Sequence, residues 1–174
     1  MLRPLVTVLL IASAAACGAR SDGPVSKFTL MSTAFQNGQT IPSQFTCDGE
    51  GRSPPLSWSE PPRGTRSFAL VVDDPDSPTG TFHHWGAYDI PVTTRSIGAG
   101  RSVGSQVMND FGKLGYGGPC PPPGAAPHHY QFKLYALGTD RLRLDSGSRI
   151  TDIEREAKNY LVGRAELTAV YRRK

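Results

Sequence analysis

The amino-acid sequence predicts a mainly β protein, an antiparallel β-sandwich with one helix late in the chain. Short β-rich segments recur along the sequence, each bounded by Pro, Gly, Asp or Ser, as is typical of strands joined by tight turns. A single segment near the C-terminus carries the signals that begin and sustain a helix. Because the strands do not alternate with helices, stacked sheets are favoured over a βαβ arrangement.

Five segments are predicted as strands. Residues 130–137 begin with regular alternation of apolar and polar side chains, which indicates one buried and one solvent-facing side. Residues 164–171 alternate less regularly and are predicted as the last strand, whereas the glycine-rich residues 93–118 are predicted as a long surface loop. The three remaining predicted strands are residues 28–31, 68–72 and 86–90.

One helix is predicted before the last strand. Thr151 and Glu154 have the spacing of a capping box, in which each residue satisfies a backbone N–H of the other. Gly163 is a suitable stop, because glycine readily ends a helix. The apolar stripe of this helix is predicted to consist of Ile153, Ala157, Tyr160 and Leu161.

The N-terminal residues 1–16 have the features of a signal peptide. Arg3 precedes a short apolar run, and this run is shorter than the roughly 20 residues that a membrane-spanning helix needs. Residues 14–17 resemble a lipoprotein cleavage box, which predicts lipidation of Cys17, although Ala14 stands where Leu is most common. We therefore expect an exported, membrane-anchored envelope lipoprotein, with a soluble secreted or periplasmic protein as the alternative.

The remaining sequence has the length of one domain. Residues 17–27 are predicted as a tether and residues 28–174 as a single globular domain with a substantial core. The net charge of +4 is spread along the chain, and residues 172–174 form the only basic run. This distribution does not resemble the basic patch of a nucleic-acid-binding protein, so we expect no nucleic-acid partner.

Two Pro-rich segments are each followed by a histidine that enters an apolar run. Residues 73–78 (Asp-Asp-Pro-Asp-Ser-Pro) precede His84, and residues 118–124 (Gly-Pro-Cys-Pro-Pro-Pro-Gly) precede His128. Proline fixes φ, so both turns are expected to be rigid. Their similar arrangement predicts that they form two walls of one polar pocket.

These segments resemble the signature regions of the phosphatidylethanolamine-binding protein family, in particular its bacterial Raf-kinase-inhibitor-like branch. A D-P-D-x-P element matches residues 74–78, and an H-W element matches residues 84–85. A Y-x-G-P-x-P-P-x-G element followed by H-x-Y and an apolar strand matches residues 116–137. Supporting matches lie at residues 46–49, 53–58 and 109–112, so the resemblance covers about residues 28–172.

The resemblance implies a β-sandwich with a small anion pocket for a phosphate group or a phospholipid headgroup. Histidine and tyrosine side chains and the backbone N–H groups of Cys120 and Gly124 are expected to donate to phosphate oxygens. The aspartates are expected to accept from the histidines or from an ethanolamine ammonium, and His129 is expected to point outside. The implied ligand-binding residues are Asp74, Asp76, His84, Cys120, Pro121, His128 and Tyr130.

The resemblance also places Cys47 and Cys120 in loops on the pocket side of the fold. The chain has three cysteines, so lipidation of Cys17 would leave these two as a pair. We expect a disulfide between them, because export brings the chain into an oxidising compartment. Two free thiols or a metal site are the alternatives.

No catalytic residue, metal site or cofactor is expected, and the protein is predicted to bind rather than to catalyse. It would bind a phosphate-bearing small molecule or lipid headgroup, contact the membrane through its anchor and regulate an unknown protein partner. One alternative is an envelope protein-interaction module or protease inhibitor with a vestigial pocket. Others are a hydrolase that uses pocket His and Asp residues, or Ser102 in the G-x-S-x-G pattern of residues 100–104, and a metal site formed by His84, His128 and a nearby Asp or Cys.

Overall fold

The structure is a computed structural model that describes residues 27–145 and 147–174. The predicted signal peptide, nearly all of the predicted tether and the predicted lipidation site at Cys17 lie outside the described residues. In the part of the chain that is described, no helix has the length and apolar character needed to span a membrane.

The described residues form two antiparallel sheets and one α-helix, which confirms the predicted fold class. The smaller sheet has the strand order β1-β2-β5, and the larger sheet has the order β6-β4-β3-β7-β8. Short 3-10 turns lie at Ser43–Phe45 and Lys158–Tyr160. In chain order the elements are β1 (Leu30–Met31), β2 (Leu56–Trp58), β3 (Ser67–Asp74), β4 (Phe82–Pro91), β5 (Ser96–Ile97), β6 (Ser105–Gln106), β7 (His128–Leu137), α1 (Ile150–Ala157) and β8 (Leu161–Tyr171).

The central strand β3 is buried at all eight positions because both of its sides are covered. Its even-numbered residues, such as Leu70 and Val72, pack in the core that includes residues of the smaller sheet. Its odd-numbered residues Ala69 and Val71 pack in a second core with α1. Since successive side chains of a strand point to opposite faces, a shift of one residue decides which layer a side chain enters.

The same two-sided burial changes the predicted pattern of β7. Its first residues alternate between buried and more exposed positions as expected, but Leu134 to Leu137 are all buried. Tyr135 and Leu137 belong to the core beneath α1, and Leu134 and Ala136 belong to the core between the sheets. The predicted solvent-facing side of β7 is therefore covered by the helix at this end.

The helix begins and ends differently from the prediction. Its N-cap is Arg149, whose backbone N–H donates to Asp152 Oδ2 at 2.7 Å, so Thr151 and Glu154 do not form the capping box. Glu154 points toward the sheet instead, where its Oε1 accepts from the Tyr135 hydroxyl at 2.8 Å. The buried stripe consists of Ile150, Ile153 and Ala157.

Gly163 does not end the helix, because α1 already ends at Ala157 and β8 begins at Leu161, which is 47% exposed. Gly163 lies within β8, where a Cβ atom would come within 2.6 Å of Pro62 Cγ. Close approach to a neighbouring proline, rather than helix termination, explains the glycine.

The predicted surface loop at residues 93–118 is partly ordered by pairing. It contains β5 and β6, and its residues Val107 and Asn109 are buried. The Asn109 Nδ2 donates to the backbone oxygens of His84 and Gly115, at 3.3 and 3.0 Å. Side-chain contacts of this kind replace the regular periodicity that the sequence lacks.

Candidate functional site

Three strand ends meet at one end of the sandwich and enclose a cavity of about 250 Å³. Asp74 ends β3, His84 lies near the start of β4, and His128 begins β7. Their exposed fractions are 4%, 3% and 7%, respectively. The predicted pocket residues that line the cavity are Asp74, His84, Cys120, Pro121 and His128.

A β-bulge directs His84 into the cavity. Val72 of β3 pairs with Trp85, but the next residue, Asp73, pairs with His83, so His84 is an extra residue in β4. Strict alternation would place His84 on the face opposite Trp85, whereas the bulge puts both on the side of the smaller sheet. Bulges of this type re-aim side chains next to functional sites.

His84 is held in one orientation by the loop before the Pro-rich turn. Its Nδ1 lies 2.8 Å from the carbonyl oxygen of Gly117. A carbonyl can only accept, so Nδ1 carries the proton and Nε2 is the ring nitrogen left for a ligand. A Cβ at Gly117 would come within 2.3 Å of Phe111 Cδ2, so only glycine fits here while Phe111 stays against the histidine.

Aromatic rings surround His84 and exclude water from it. The ring centroids of Phe82, Phe111 and Tyr130 lie 5.2, 5.3 and 5.2 Å from the imidazole centroid. Burial lowers the pKa of His84, although the Gly117 carbonyl and the Asp74 carboxylate favour the charged form. In the ligand-free protein this imidazole is therefore neutral at pH 7, and its Nε2 accepts hydrogen bonds.

His128 and Asp74 form a buried pair on the opposite wall. The His128 Nδ1 lies 2.7 Å from Asp74 Oδ2, and the backbone N–H of Asp76 donates to Asp74 Oδ1 at 2.9 Å. Both oxygens of Asp74 are thus occupied, and His128 also keeps Nε2 for a ligand. The predicted role of an aspartate as hydrogen-bond acceptor for a pocket histidine is confirmed for this pair.

The predicted disulfide between Cys47 and Cys120 is present, with a Cα–Cα distance of 5.4 Å. It fixes the Pro-rich turn against the segment before β2, and the Cys47 N–H donates to Pro119 O at 3.1 Å beside it. Gly124 does not supply a donor to the cavity, because its N–H is directed to Arg173 O at 3.5 Å. The covalent link shapes the cavity rim.

Two of the predicted pocket residues do not line the cavity. Asp76 faces outward, where its Oδ2 accepts from the backbone N–H and the Nδ1 of His129, both at 2.7 Å. The prediction that His129 lies outside is confirmed, since its side chain is 55% exposed. Asp76 does not line this cavity because the turn gives Asp74 and Asp76 different directions, and its role in binding a ligand stays a prediction.

Tyr130 lies beneath His84 rather than at the cavity surface. Its side chain is fully buried, and its hydroxyl has no hydrogen-bond partner among the described residues. Burial, and after it the nearby Asp74 carboxylate, raises the pKa of Tyr130. The ring packs edge-on against the imidazole, and donation of the Tyr130 hydroxyl to a ligand stays a prediction.

Several residues of the cavity wall were not predicted from the sequence. Phe111 lies in the matched segment 109–112, which could have indicated it, whereas Phe82 gave no signal because its place depends on the β3–β4 register. The wall residues that were not predicted are Ser77, Pro78, Thr79, Phe82, Phe111 and Pro122.

The hydrolase alternative based on Ser102 lacks its structural context. Residues 100–104 lie in the loop between β5 and β6, and β6 rather than a helix follows them. Ser102 lines a different cavity, together with Arg52 and Arg101. A strand–turn–helix elbow, which would activate such a serine, is therefore absent at this segment.

The metal alternative at His84 and His128 gains no third ligand. Among the residues that the structure describes, the one group of three potential ligands with atoms within 4.8 Å of one another is Asp73, His83 and Glu154. What the cavity offers instead is two imidazole Nε2 atoms, which accept when neutral and donate when protonated.

Known proteins are similar to this chain in sequence and in fold. Residues 31–172 match the model of the phosphatidylethanolamine-binding protein family. A UPF0098 protein of Aquifex aeolicus is 42% identical over 150 residues, which cover 83% of this chain and 88% of the relative. LppC of Mycobacterium tuberculosis, named as a candidate lipoprotein, is 39% identical over 145 residues, which cover 82% of this chain and 71% of LppC.

A solved structure is similar to this chain in fold as well as in sequence. The crystal structure of Escherichia coli YbcL, described as a new member of the mammalian family, is similar with a TM-score of 0.80 and 35% sequence identity. The similarity covers 86% of this chain and 100% of that one. The chain belongs to the phosphatidylethanolamine-binding protein family.

Proposed function

We propose that the protein binds a phosphate group, carried by a small molecule or a phospholipid headgroup, in the cavity between His84 and His128. The observation that carries the proposal is the fixed orientation of both imidazoles. Gly117 O holds one Nδ1 and the Asp74 carboxylate holds the other, so each ring keeps Nε2 for a ligand. Each of these two nitrogens can form a hydrogen bond with one oxygen of the phosphate.

The size of the cavity favours a headgroup over a larger ligand. Its volume of about 250 Å³ lies below the roughly 300–1,000 Å³ typical of sites for drug-sized molecules. Walls formed by Phe82 and Phe111 strengthen any charge interaction inside, because they exclude water. A phosphate and a short polar substituent would fill this space, while an acyl chain would stay outside.

Binding of the phosphate would require one proton between the ligand and His84. His84 is neutral in the free protein because burial lowers its pKa, and a neutral Nε2 cannot donate to an anion. Binding therefore takes up one proton on His84, or selects the ligand form that carries a P–OH. Either route makes the affinity higher at lower pH.

The sequence and the relatives support a proposal for the localisation of the protein. The segment at residues 14–17 and the similarity to the candidate lipoprotein LppC support an exported envelope protein, attached to the membrane through Cys17. We propose binding rather than catalysis because both cavity imidazoles are held with one nitrogen left for a ligand, and the proposal includes no cofactor and no nucleic-acid partner.

Calorimetric titration of the purified full chain in detergent tests this function. We expect saturable binding of inorganic phosphate and phosphoethanolamine, and none of ethanolamine, since the phosphate is the recognised group. The His84→Ala/His128→Ala variant should lose the binding, whereas the matched His83→Ala/His129→Ala variant should retain it. Thermal unfolding of both variants shows whether they are folded, and equal binding in both would contradict the proposal.

One observation favours a second candidate function, a protein-interaction module. Met108, Phe111 and Leu114 are 55%, 41% and 68% exposed, and Phe111 also lines the cavity. A protein partner could cover this apolar rim and respond to the ligand beneath it. Capture of such a partner that is lost in Leu114→Ser but retained in His84→Ala/His128→Ala would show that the contact does not need a filled cavity.

A further inference from the structure

Five ionisable side chains form a second cluster on the helix side of the larger sheet. Asp73, His83 and Glu154 each offer one ligand atom, and these atoms lie within 4.8 Å of one another. Lys133 and Asp110 contact this group. We propose that Asp73, His83 and Glu154 of this helix-side cluster bind a divalent metal ion of the zinc class.

The three ligands come from three elements that the core holds in place. Asp73 and His83 are paired residues of β3 and β4, and Glu154 lies on α1. The helix packs closely on the sheet here, since a Cβ at Gly86 would come within 2.6 Å of Ile150 Cγ1. The arrangement is therefore fixed by packing rather than by flexible loops.

Asp73 supplies the observation that points to a ligand. Its side chain is 1% exposed, and its Oδ1 has no hydrogen-bond partner within the described ranges. Its Oδ2 accepts from Lys133 Nζ at 2.6 Å. A buried carboxylate oxygen without a partner is costly, and a cation on Oδ1 would complete its contacts without displacing Lys133.

His83 is oriented as metal-binding histidines usually are. Its Nδ1 lies 2.9 Å from Asp110 Oδ2, and its backbone N–H donates to the same oxygen at 2.7 Å. A carboxylate that holds one imidazole nitrogen in this way orients the ring and leaves the lone pair of the other nitrogen for a metal. Asp110 would thus be a positioning residue for a metal on Nε2.

The charge of the cluster favours a divalent ion. Three carboxylates, from Asp73, Asp110 and Glu154, face one ammonium from Lys133, which contacts Asp73 and Glu154. With neutral His83 the cluster carries two negative charges in excess, and one divalent cation would balance them.

Zinc fits the donor set better than magnesium or calcium. Imidazole nitrogen and carboxylate oxygen are both donor types that zinc accepts, with room for water in the fourth position, whereas magnesium and calcium prefer oxygen alone. Tetrahedral zinc with bonds of about 2.1 Å places its ligand atoms about 3.4 Å apart. Side chains whose ligand atoms lie within 4.8 Å would need only small rotations to close on the ion.

The test is a titration of the full chain, without a histidine tag, with Zn²⁺ and with Co²⁺ as a spectroscopic probe. We expect one ion per chain and the intense visible absorption of tetrahedral cobalt. His83→Ala and Glu154→Gln should each weaken binding by at least tenfold, and Asp110→Asn by about tenfold or more. Zinc should also raise the thermal midpoint of the parent protein but not that of His83→Ala.

His129→Ala is the matched control, because His129 contacts Asp76 through the same backbone and ring atoms but belongs to no group of three potential ligands among the described residues. It should bind zinc as tightly as the parent, and so should His84→Ala/His128→Ala. The absence of saturable binding would overturn the proposal. So would an equal loss in His129→Ala, or a loss confined to the cavity variant, which would place the ion between the pocket histidines.

Discussion

The cavity and the helix-side cluster lie on opposite faces of the same sheet and are built from neighbouring residues. Asp74 and His84 enter the cavity, while Asp73 and His83, one position earlier in each strand, enter the cluster. In the cavity the one carboxylate is fully hydrogen-bonded. In the cluster two carboxylates share one ammonium, a third contacts His83, and one buried oxygen has no partner among the described residues.

This difference teaches that the side of the sheet to which each side chain points, and not the amino-acid composition of the segments, decides which charges face the cavity and which face the cluster. Residues 73–74 and 83–84 are an Asp-Asp and a His-His pair, so each pair contributes the same residue type to both faces. Alternation separates the two residues of each pair, and the β-bulge decides that His84 faces the cavity while His83 faces the cluster. The proposed functions follow this division, with an anion at the imidazoles of the cavity and a cation at the carboxylates of the cluster.

The largest effect on the free energy of unfolding is expected from removal of the disulfide between Cys47 and Cys120. The disulfide closes a loop with a sequence separation of 73 residues, so Cys47→Ser/Cys120→Ser should lower the free energy of unfolding by about 4 kcal/mol. Urea unfolding measures this loss. The affinity for phosphoethanolamine should fall because the rim of the cavity loses its covalent link, while the affinity for zinc should not change. An equal fall in both affinities would mean that the two sites are not independent.

The next effect concerns the buried ion pair of the cluster. Lys133→Met should destabilise the protein by about 3 kcal/mol, because it leaves the buried Asp73 carboxylate without its ammonium. Urea unfolding in zinc-free buffer measures the change, and Asp73→Asn/Lys133→Met should recover part of it. A loss below about 1 kcal/mol would show that solvent screens this pair as it screens surface pairs.

The pH dependence of anion binding distinguishes the cavity from the cluster. Because burial lowers the pKa of His84, an anion that needs a proton on Nε2 should bind about tenfold more tightly for each unit of pH decrease above that pKa. Sulfate does not titrate in this range and isolates the effect of the histidine. Calorimetry from pH 8 to pH 6 measures it, and His84→Gln should abolish the slope.

The same shift affects the stability of the ligand-free protein with a defined sign. The unfolded chain binds a proton on this histidine near its ordinary pKa of about 6.5, while the folded protein binds it only at lower pH. Stability contributed by His84 is therefore present above about pH 6.5 and is lost as the pH falls toward the folded pKa. A contribution that grows on acidification would contradict burial as the cause.

The smallest effect is expected at the outward pair of His129 and Asp76. Their side chains are 55% and 42% exposed, so Asp76→Asn should change the free energy of unfolding by less than about 1 kcal/mol. Phosphate affinity should be unchanged, because neither side chain lines the cavity. A clear loss of affinity in this variant would restore Asp76 to the binding site.

The sequence was sufficient for much of the fold and part of the site. All five predicted strands are present, and the motif resemblance led to Asp74, His84, His128 and the disulfide of Cys47 and Cys120. These features depend on local alternation and on rigid Pro-rich turns, which can be recognised within a short segment.

The remaining features depend on how distant segments pair. The bulge at His84 follows from the register between β3 and β4, and alternation within β4 gives no sign of it. The cluster needs Glu154 from the helix opposite Lys133 of β7, a contact set by the packing of α1. For the same reason the local capping pattern at Thr151 was misleading, because Glu154 is drawn toward the sheet instead of the helix end.

One crystal structure would test the separation of the two sites most directly. Crystals of the protein grown with phosphoethanolamine and zinc chloride, measured at the zinc absorption edge, locate both ligands at once. We expect phosphate density between His84 and His128, and an anomalous peak bonded to Asp73, His83 and Glu154. Zinc between the pocket histidines, or phosphate outside the cavity, would contradict the assignment of an anion to one face and a cation to the other.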